Sequence, residues 1–254
     1  MRMGVLAFAV LLFLSQSVFA EFPKTIHFVC PEWKPMVFSE GEKIKGLYTE
    51  YLETIFNKNM NIKVKYSIVP WKRAQLYVEK GDADLILTVP TKKRLTFSIK
   101  NVKPIYQMYL HIYTYKNHKQ INQIRKIKTA KDILKLDLTP VTNLGNGWHK
   151  QHIDSYGINT YYVPKEDNIV KFLASKRADI MIEAVIPTNY KIEQYGLVSK
   201  LELTNARFGP LNFHILMSKK SKYVKYMPQI NRVIQKLTMN GTLHNLTKKY
   251  KKLQ

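Results

Sequence analysis

The chain is poor in acid and nearly without cysteine. Of its 254 residues only 18 are Asp or Glu, against 41 Lys and Arg, for a formal charge of +23. A single cysteine, Cys30, excludes an intramolecular disulfide. It ends the apolar run Ile26-His27-Phe28-Val29-Cys30, where a small buried hydrophobe is expected and no Cys-His pair for catalysis can be read. Long apolar runs are missing as well. The run at residues 4–14 falls short of the ~20 residues a spanning helix needs. Arginine is scarce, seven of the 41 cations, so the charge is mostly lysine. No zinc-finger spacing, RNA-binding motif or basic heptad array accompanies it, which argues against nucleic acid as a partner. The charge reads as solvated surface, with a field that could still draw in anionic solutes. Phosphate loops, dinucleotide fingerprints and a Ser-His-Asp order are also lacking, so no cofactor is expected. His149 and His152 share one face of an expected helix without a third ligand, so they are expected as exposed polar side chains rather than a metal site.

What is present begins with a leader. Arg2 precedes the apolar residues 4–14, and Val18-Phe19-Ala20 supplies small residues where a signal peptidase reads. The expectation is an exported protein cleaved after Ala20, starting at Glu21, and monomeric. A mature chain of that length can bury a full core without staples.

The remaining chain alternates strand and helix signals. Residues 25–29 and 62–68 read as strands, and Gly46 precedes a helix carrying Leu47, Tyr51, Leu52, Ile55 and Phe56 at helical spacing. Trp71 to Lys80 reads as a helix stopped by Gly81, and residues 83–87 as a buried strand. A polar loop with Thr88, Thr91 and Arg94 follows. This βαβαβ order predicts an α/β lobe with a mostly parallel sheet, and ligands gather at the carboxyl ends of such strands. Residues 109–115 alternate like a crossing strand. The pattern then restarts: helix near 131–134, strand 140–143, a Gly145-Asn146-Gly147 loop, helix from Trp148, strand 161–163, helix 168–175 and strand 179–182. Residues 211–217 read as a return strand, and 227–252 as helix broken at Gly241.

The stretch Pro70-Trp71-Lys72-Arg73-Ala74, Gly81-Asp82-Ala83-Asp84-Leu85, Thr91-Lys92-Lys93-Arg94 and Lys103-Pro104-Ile105-Tyr106 resembles the family 3 solute-binding proteins of polar amino-acid ABC importers. The tail, with Asn240-Gly241-Thr242 and Lys249-Tyr250, is similar too, so the resemblance covers nearly the whole mature chain. It implies the two-lobed type II periplasmic-binding-protein fold, an α/β fold with two crossing hinge strands near residues 109–113 and 207–213. Lobe 1 would hold residues 21–110 and 212–254, lobe 2 residues 111–211. It also implies that Arg94 pairs with a ligand carboxylate, for which a planar guanidinium suits better than a Lys. Trp33 and Trp71 stand at the family's cleft-aromatic positions, and Asn146, Gly147 and Trp148 in the loop that completes the carboxylate site; Thr88 and Thr91 follow the third strand, where their hydroxyls are expected to hydrogen-bond a solute. Two departures follow. Pro90 removes one backbone donor from the Arg94 loop. Ala184 stands where amino-acid binders place an acid for the ligand ammonium, and Glu183 lies one residue earlier, on the opposite strand face unless a bulge intervenes.

The expected function is capture of a small polar, carboxylate-bearing solute in the periplasm by hinge closure, for an ABC permease or a membrane sensor, without catalysis. Two rivals remain: a cyclohexadienyl-dehydratase-like enzyme on the same fold, which would need a cleft carboxylic acid of raised pKa, and an orphan periplasmic sensor.

Overall fold

The computed structural model describes residues 24–252, so the leader and its cleavage site after Ala20 lie outside the described residues. No described helix is long and apolar enough to cross a membrane.

Strand β1 (Thr25–Cys30) leads into a small hairpin of β2 (Phe38–Glu40) and β3 (Lys43–Lys45). A helix Leu47–Leu52 follows, continuing as π-helical turns over Glu53–Lys58, and then β4 (Lys63–Ile68). The helix Trp71–Lys80 turns Ala74 and Val78 inward against Val29, Ile86 and Leu216. Pro70 precedes it, and Gly81 ends it at φ 87°, a left-handed conformation that glycine adopts without a Cβ penalty. Strand β5 (Leu85–Thr88) is buried at all four positions, as its unbroken apolar run requires of a strand covered on both faces.

After β6 (Ser98–Lys100) come β7 (Tyr106–Tyr115), β8 (Pro140–Asn143), β9 (Tyr161–Val163), β10 (Ile180–Ala184) and the long β11 (Leu201–Ser218). They form one mixed sheet in the order β4-β1-β5-β11-β7-β10-β8-β9, with β6 also on β11. Strand β1 runs parallel to β4 and β5, and β8 runs parallel to β9 and β10. The two parallel sets meet only through antiparallel β7 and β11. From Leu201 to Phe213, β11 pairs with β7; from His214 it pairs with β5. The expected crossing segments fall inside these two strands. The β7–β11 register shifts between Leu203 and Arg207 and again between Phe208 and Leu211. Gly209 sits in the second shift at φ 115°, where an added Cβ would lie 3.0 Å from the Leu211 amide N and 3.2 Å from the Met108 carbonyl O. Only glycine fits that backbone.

The main core runs through both halves, from Phe28, Leu52 and Ile55 to Ile112, Ile133 and Ile182. Cys30 is buried in it, and burial pushes its thiol up to about 12, which leaves it protonated and inert. The tail helices Met227–Met239 and Thr242–Lys252 fold back on the first half. Ile230, Ile234 and Leu237 are buried, and Lys249 Nζ and Tyr250 Oη donate to Glu50 Oε1 at 2.8 and 2.9 Å.

Three local expectations change. The segment after β5 is not an open loop: Lys92–Phe97 is a helical turn, because the Thr91 hydroxyl accepts from the Arg94 amide at 3.2 Å and caps it. The strand expected at residues 179–182 runs Ile180–Ala184. Asp179 stays outside it, accepting from the Thr139 amide at 2.8 Å and contacting His118 Nε2 at 3.0 Å. A helix Val185–Gln194 follows β10 directly, and Pro187, in its first turn, needs no amide donor there.

Candidate functional site

Four of the residues singled out by sequence come together at the carboxyl end of β5. Thr88 ends the strand, Thr91 caps the next helix, Arg94 lies in its first turn, and Trp71 opens the helix beside them. The Arg94 guanidinium lies 5.0 Å from the Trp71 ring centroid, within cation–π range. Its Nε donates to Gln75 Oε1 at 3.0 Å. Its Nη1 donates to the Val89 carbonyl at 2.7 Å and contacts the Thr88 hydroxyl at 3.4 Å. All three acceptors are neutral. Among the described residues no ion pair forms to Arg94, and Nη2 has no hydrogen-bond partner. Burial lowers its pKa from the usual value, but a guanidinium still remains charged. The result is a fixed, half-buried cation with one edge held and one edge unengaged, which suits a planar anion. Gln75 was not singled out by sequence. Its only signal is that it lies one helical turn after Trp71, on the same face.

Trp33 sits elsewhere along the same end of the sheet. It stacks on Phe213 at 6.5 Å, meets Tyr48 edge-on at 6.0 Å, and is tied to Val37 by paired backbone hydrogen bonds. With Glu32 and Lys34 it walls a cavity of about 510 Å³ whose opposite wall is Lys165, Glu166, Asp167, Tyr190, Lys191, Gln194 and Tyr195. The cavity thus joins the loop after β1 to the loop after β9 and the helix Val185–Gln194. A larger hollow of about 670 Å³ lies at the crossing strands, between β7 and the tail helix, away from Arg94.

Lys191 is the centre of the second wall. Its Nζ lies 2.6 Å from Glu166 Oε1 and 3.2 Å from Asp167 Oδ1. Glu183 stands under this wall with the opposite character. It pairs across the sheet with His111, and its Oε1 is sealed from solvent with no hydrogen-bond partner among the described residues. Burial, with the Glu166 charge adding to it and Lys191 opposing, pushes its carboxyl up to about 8. No register shift interrupts β10, so Glu183 shares its strand face with Met181, and Ala184 shares the other with Ile182. The bulge that would bring Glu183 to the position of Ala184 is absent from β10.

Asn146, Gly147 and Trp148 form a third group, at the carboxyl end of β8. Asn146 is inward-committed: its Oδ1 accepts from the His149 amide at 3.1 Å and its Nδ2 donates to Thr142 Oγ1 at 2.8 Å. It therefore shapes the turn. The backbone amides of Gly147 and Trp148 open the helix Gly147–His152 without intrahelical acceptors. Trp148 packs edge-on against Phe208 of β11 at 5.9 Å. Thus β11 carries Phe208 under one tryptophan and Phe213 under the other. The structure places the Arg94, Trp33 and Trp148 groups at strand ends of the two sheet halves, without direct contact among the three.

His149 departs from expectation. It is fully buried, with Nε2 3.1 Å from Thr160 Oγ1, which in turn donates to Asp154 Oδ1 at 2.8 Å. Burial holds its imidazole near 4, well below the usual 6.5, so it is neutral at physiological pH. His152 on the same helix is exposed against Trp148, so the two histidines do not act together.

Residues 26–252 match the model of the bacterial extracellular solute-binding proteins, family 3. Among solved structures, an ancestral arginine-binding protein bound to arginine aligns with TM-score 0.69 at 15% identity, over 90% of this chain and 98% of that one. A protein from work on glutathione import through a cystine ABC importer of Streptococcus mutans aligns with TM-score 0.68 at 17% identity, over 89% and 94%. An ancestral amino-acid-binding protein described as a precursor of cyclohexadienyl dehydratase aligns with TM-score 0.67 at 16% identity, over 89% and 95%. No curated protein sequence matches. The chain belongs to family 3 of the bacterial extracellular solute-binding proteins, and its fold is the two-lobed type II periplasmic-binding-protein fold.

Proposed function

We propose that this family 3 solute-binding protein captures a small polar solute through a carboxylate held by Arg94, and delivers it to an ABC importer. The observation that carries the reading is the Arg94 guanidinium, half-buried, fixed on one edge by Gln75 and Val89, and without an ion pair among the described residues. A buried cation left without a counter-charge is costly, and a ligand carboxylate would supply it. Trp71 would cover the solute's apolar part, and the Gly147 and Trp148 amides would meet it from the other lobe.

In this reading lobe 1 comprises residues 21–110 and 212–254 and lobe 2 residues 111–211, exported to the periplasm after cleavage behind Ala20. The switch of β11 from β7 to β5, at residues 213–214, supports that boundary. Closure about β7 and β11 would bring the Arg94 and Trp148 groups onto one solute. The test is calorimetric titration with a panel of amino acids, hydroxy acids and dicarboxylates beside neutral sugars and polyamines, followed by small-angle scattering at saturation. A carboxylate ligand that shrinks the radius of gyration supports the reading. Binding only of uncharged or cationic solutes sinks it.

Glu183 favours a second reading. Its carboxyl, raised to about 8, holds its proton at neutral pH; Oε1 is sealed in this structure, so it would act as a general acid only after a movement that opens it to the cleft. A dehydratase-like activity would show as turnover of prephenate or arogenate that Glu183→Gln abolishes. Binding without turnover leaves the transport reading.

A further inference from the structure

Acidic residues are distributed unevenly. None lies between Asp84 and Asp132, and none follows Glu202. The fold brings these two acid-free segments together. The Val102 amide donates to Asn231 Oδ1 at 2.9 Å, which fastens the segment after β6 to the helix Met227–Met239. Lys103 and Thr238 line one hollow, and Arg232, Lys236 and Met239 border another on the same helix. The face so formed carries exposed Lys100, Lys103, Arg232 and Lys236. Among the described residues none of the four forms an ion pair. The carboxylates of the adjoining helical segment are engaged elsewhere, Glu50 by Lys249 and Tyr250, Glu53 by Tyr66 and Asn57.

Two apolar side chains stand out from this basic field. Met239 is 79% exposed and Val102 66%, the highest values among the large hydrophobics. Val102 lies between Lys100 and Lys103, and Met239 one turn beyond Lys236. Protruding apolar groups ringed by unpaired lysines suit a surface that offers diffuse negative charge over a hydrocarbon layer. An acidic protein partner would more commonly be met by arginine forks, and three of these four cations are lysine.

We propose that this face docks the protein on an anionic phospholipid bilayer, with the four cations over the headgroups and Val102 and Met239 entering the interface. The face is formed by the segment after β6 and the helix Met227–Met239.

The test is co-sedimentation of the chain from Glu21, without the leader, with vesicles of phosphatidylcholine, alone or mixed with phosphatidylglycerol. Wild type should pellet with the mixed vesicles, and release as salt is raised. The variant K100Q/K103Q/R232Q/K236Q should lose at least about tenfold in partitioning. The variant K116Q/K119Q/K126Q/K131Q removes equal charge from exposed positions further along the first acid-free segment, beyond β7, and should lose less than about threefold. V102S/M239S should keep its initial binding and release at lower salt. As a measurement that needs no variant, vesicles should shield Lys100, Lys103 and Lys236 from amine acetylation, relative to Lys116 and Lys119. Equal losses in the two quadruple variants, or no shielding, would overturn the proposal by reducing it to net charge. Binding to plain phosphatidylcholine as strong as to the mixture, or capture of polyglutamate in preference to vesicles, would overturn it as well.

Discussion

Arg94 and Glu183 are both withdrawn from bulk water, and the protein treats them in opposite ways. Around Arg94 the fold supplies neutral acceptors, Gln75, Thr88 and the Val89 carbonyl, so the cation keeps its charge and its geometry. Around Glu183 it supplies no hydrogen bond to Oε1 and a neighbouring carboxylate in Glu166, so the acid gives up its charge instead. The difference lies in solvation by protein. Donors held by fixed dipoles remain ionised; an acceptor left without a donor takes up a proton. One is a permanent charge, the other a group whose charge depends on pH.

The sharpest way to break this contrast is to remove the anchor. Arg94→Ala should weaken binding of a carboxylate solute by roughly 2–5 kcal/mol, because the ligand charge is left desolvated and unpaired. Lys at the same position should recover only part, since it lacks the planar fork. Calorimetric titration measures the loss, with thermal melts as the folding control. A folded Arg94→Ala that binds as wild type does would end the carboxylate reading.

The setting of Glu183 is tested by pH. The Glu183 carboxyl rises from 4.5 to about 8 on folding, so the folded state holds the proton more tightly. Its contribution to stability is full below 4.5, falls as pH rises through the window, and is lost above about 8. Glu166, Asp167, Lys191 and Tyr113 share its surroundings. His149 works against it: its value drops from 6.5 to about 4, so its contribution is present above 6.5 and lost as pH falls towards 4. Glu183→Gln mimics the protonated acid and should raise stability at pH 8–9 by several kcal/mol, and by much less at pH 5. Chemical denaturation across that range decides it. An unchanged pH slope would mean that Glu183 is ionised in the fold.

Much of the Arg94 group was legible in the sequence, and little of the surroundings of Glu183. Pro70 and Gly81 bracket the helix that carries Trp71, and Thr91-x-x-Arg94 follows a strand too apolar to lie anywhere but inside. Those are local signals, each with its own mechanism. The polar run around Thr91 read as a loop; the Thr91 hydroxyl, accepting from the Arg94 amide, makes it the short helix Lys92–Phe97. The setting of Glu183 depends on groups distant in sequence. Glu166 comes from the loop after β9, Lys191 from a helix obscured by Pro187, and His111 from a crossing strand. Alternation along β10 indicated the face of Glu183 but not what stands opposite. His149 failed for the same reason: its burial depends on Thr160 and Asp154, which no periodicity links to it. The basic face near Val102 was visible only as composition until the Val102–Asn231 hydrogen bond joined its two segments.

The smallest expected effect refines how the anchor works. The Trp71 ring lies 5.0 Å from the Arg94 guanidinium, at a half-buried site. Such a contact contributes about 1 kcal/mol, between the exposed and desolvated limits. In the proposed site the ring would help to hold Arg94 in one rotamer before the solute arrives, and would also offer apolar area to the solute itself. These two roles separate in a double-mutant cycle. Trp71→Leu keeps bulk but removes the ring's quadrupole, and should weaken binding about fivefold in the wild-type background. In the Arg94→Ala background the same change should cost almost nothing if the ring acts through the guanidinium. Trp71→Phe should fall between the two, because its ring has the weaker face potential. Equal losses in both backgrounds would assign Trp71 to direct contact with the solute, and leave the Arg94 rotamer to Gln75 and Val89 alone.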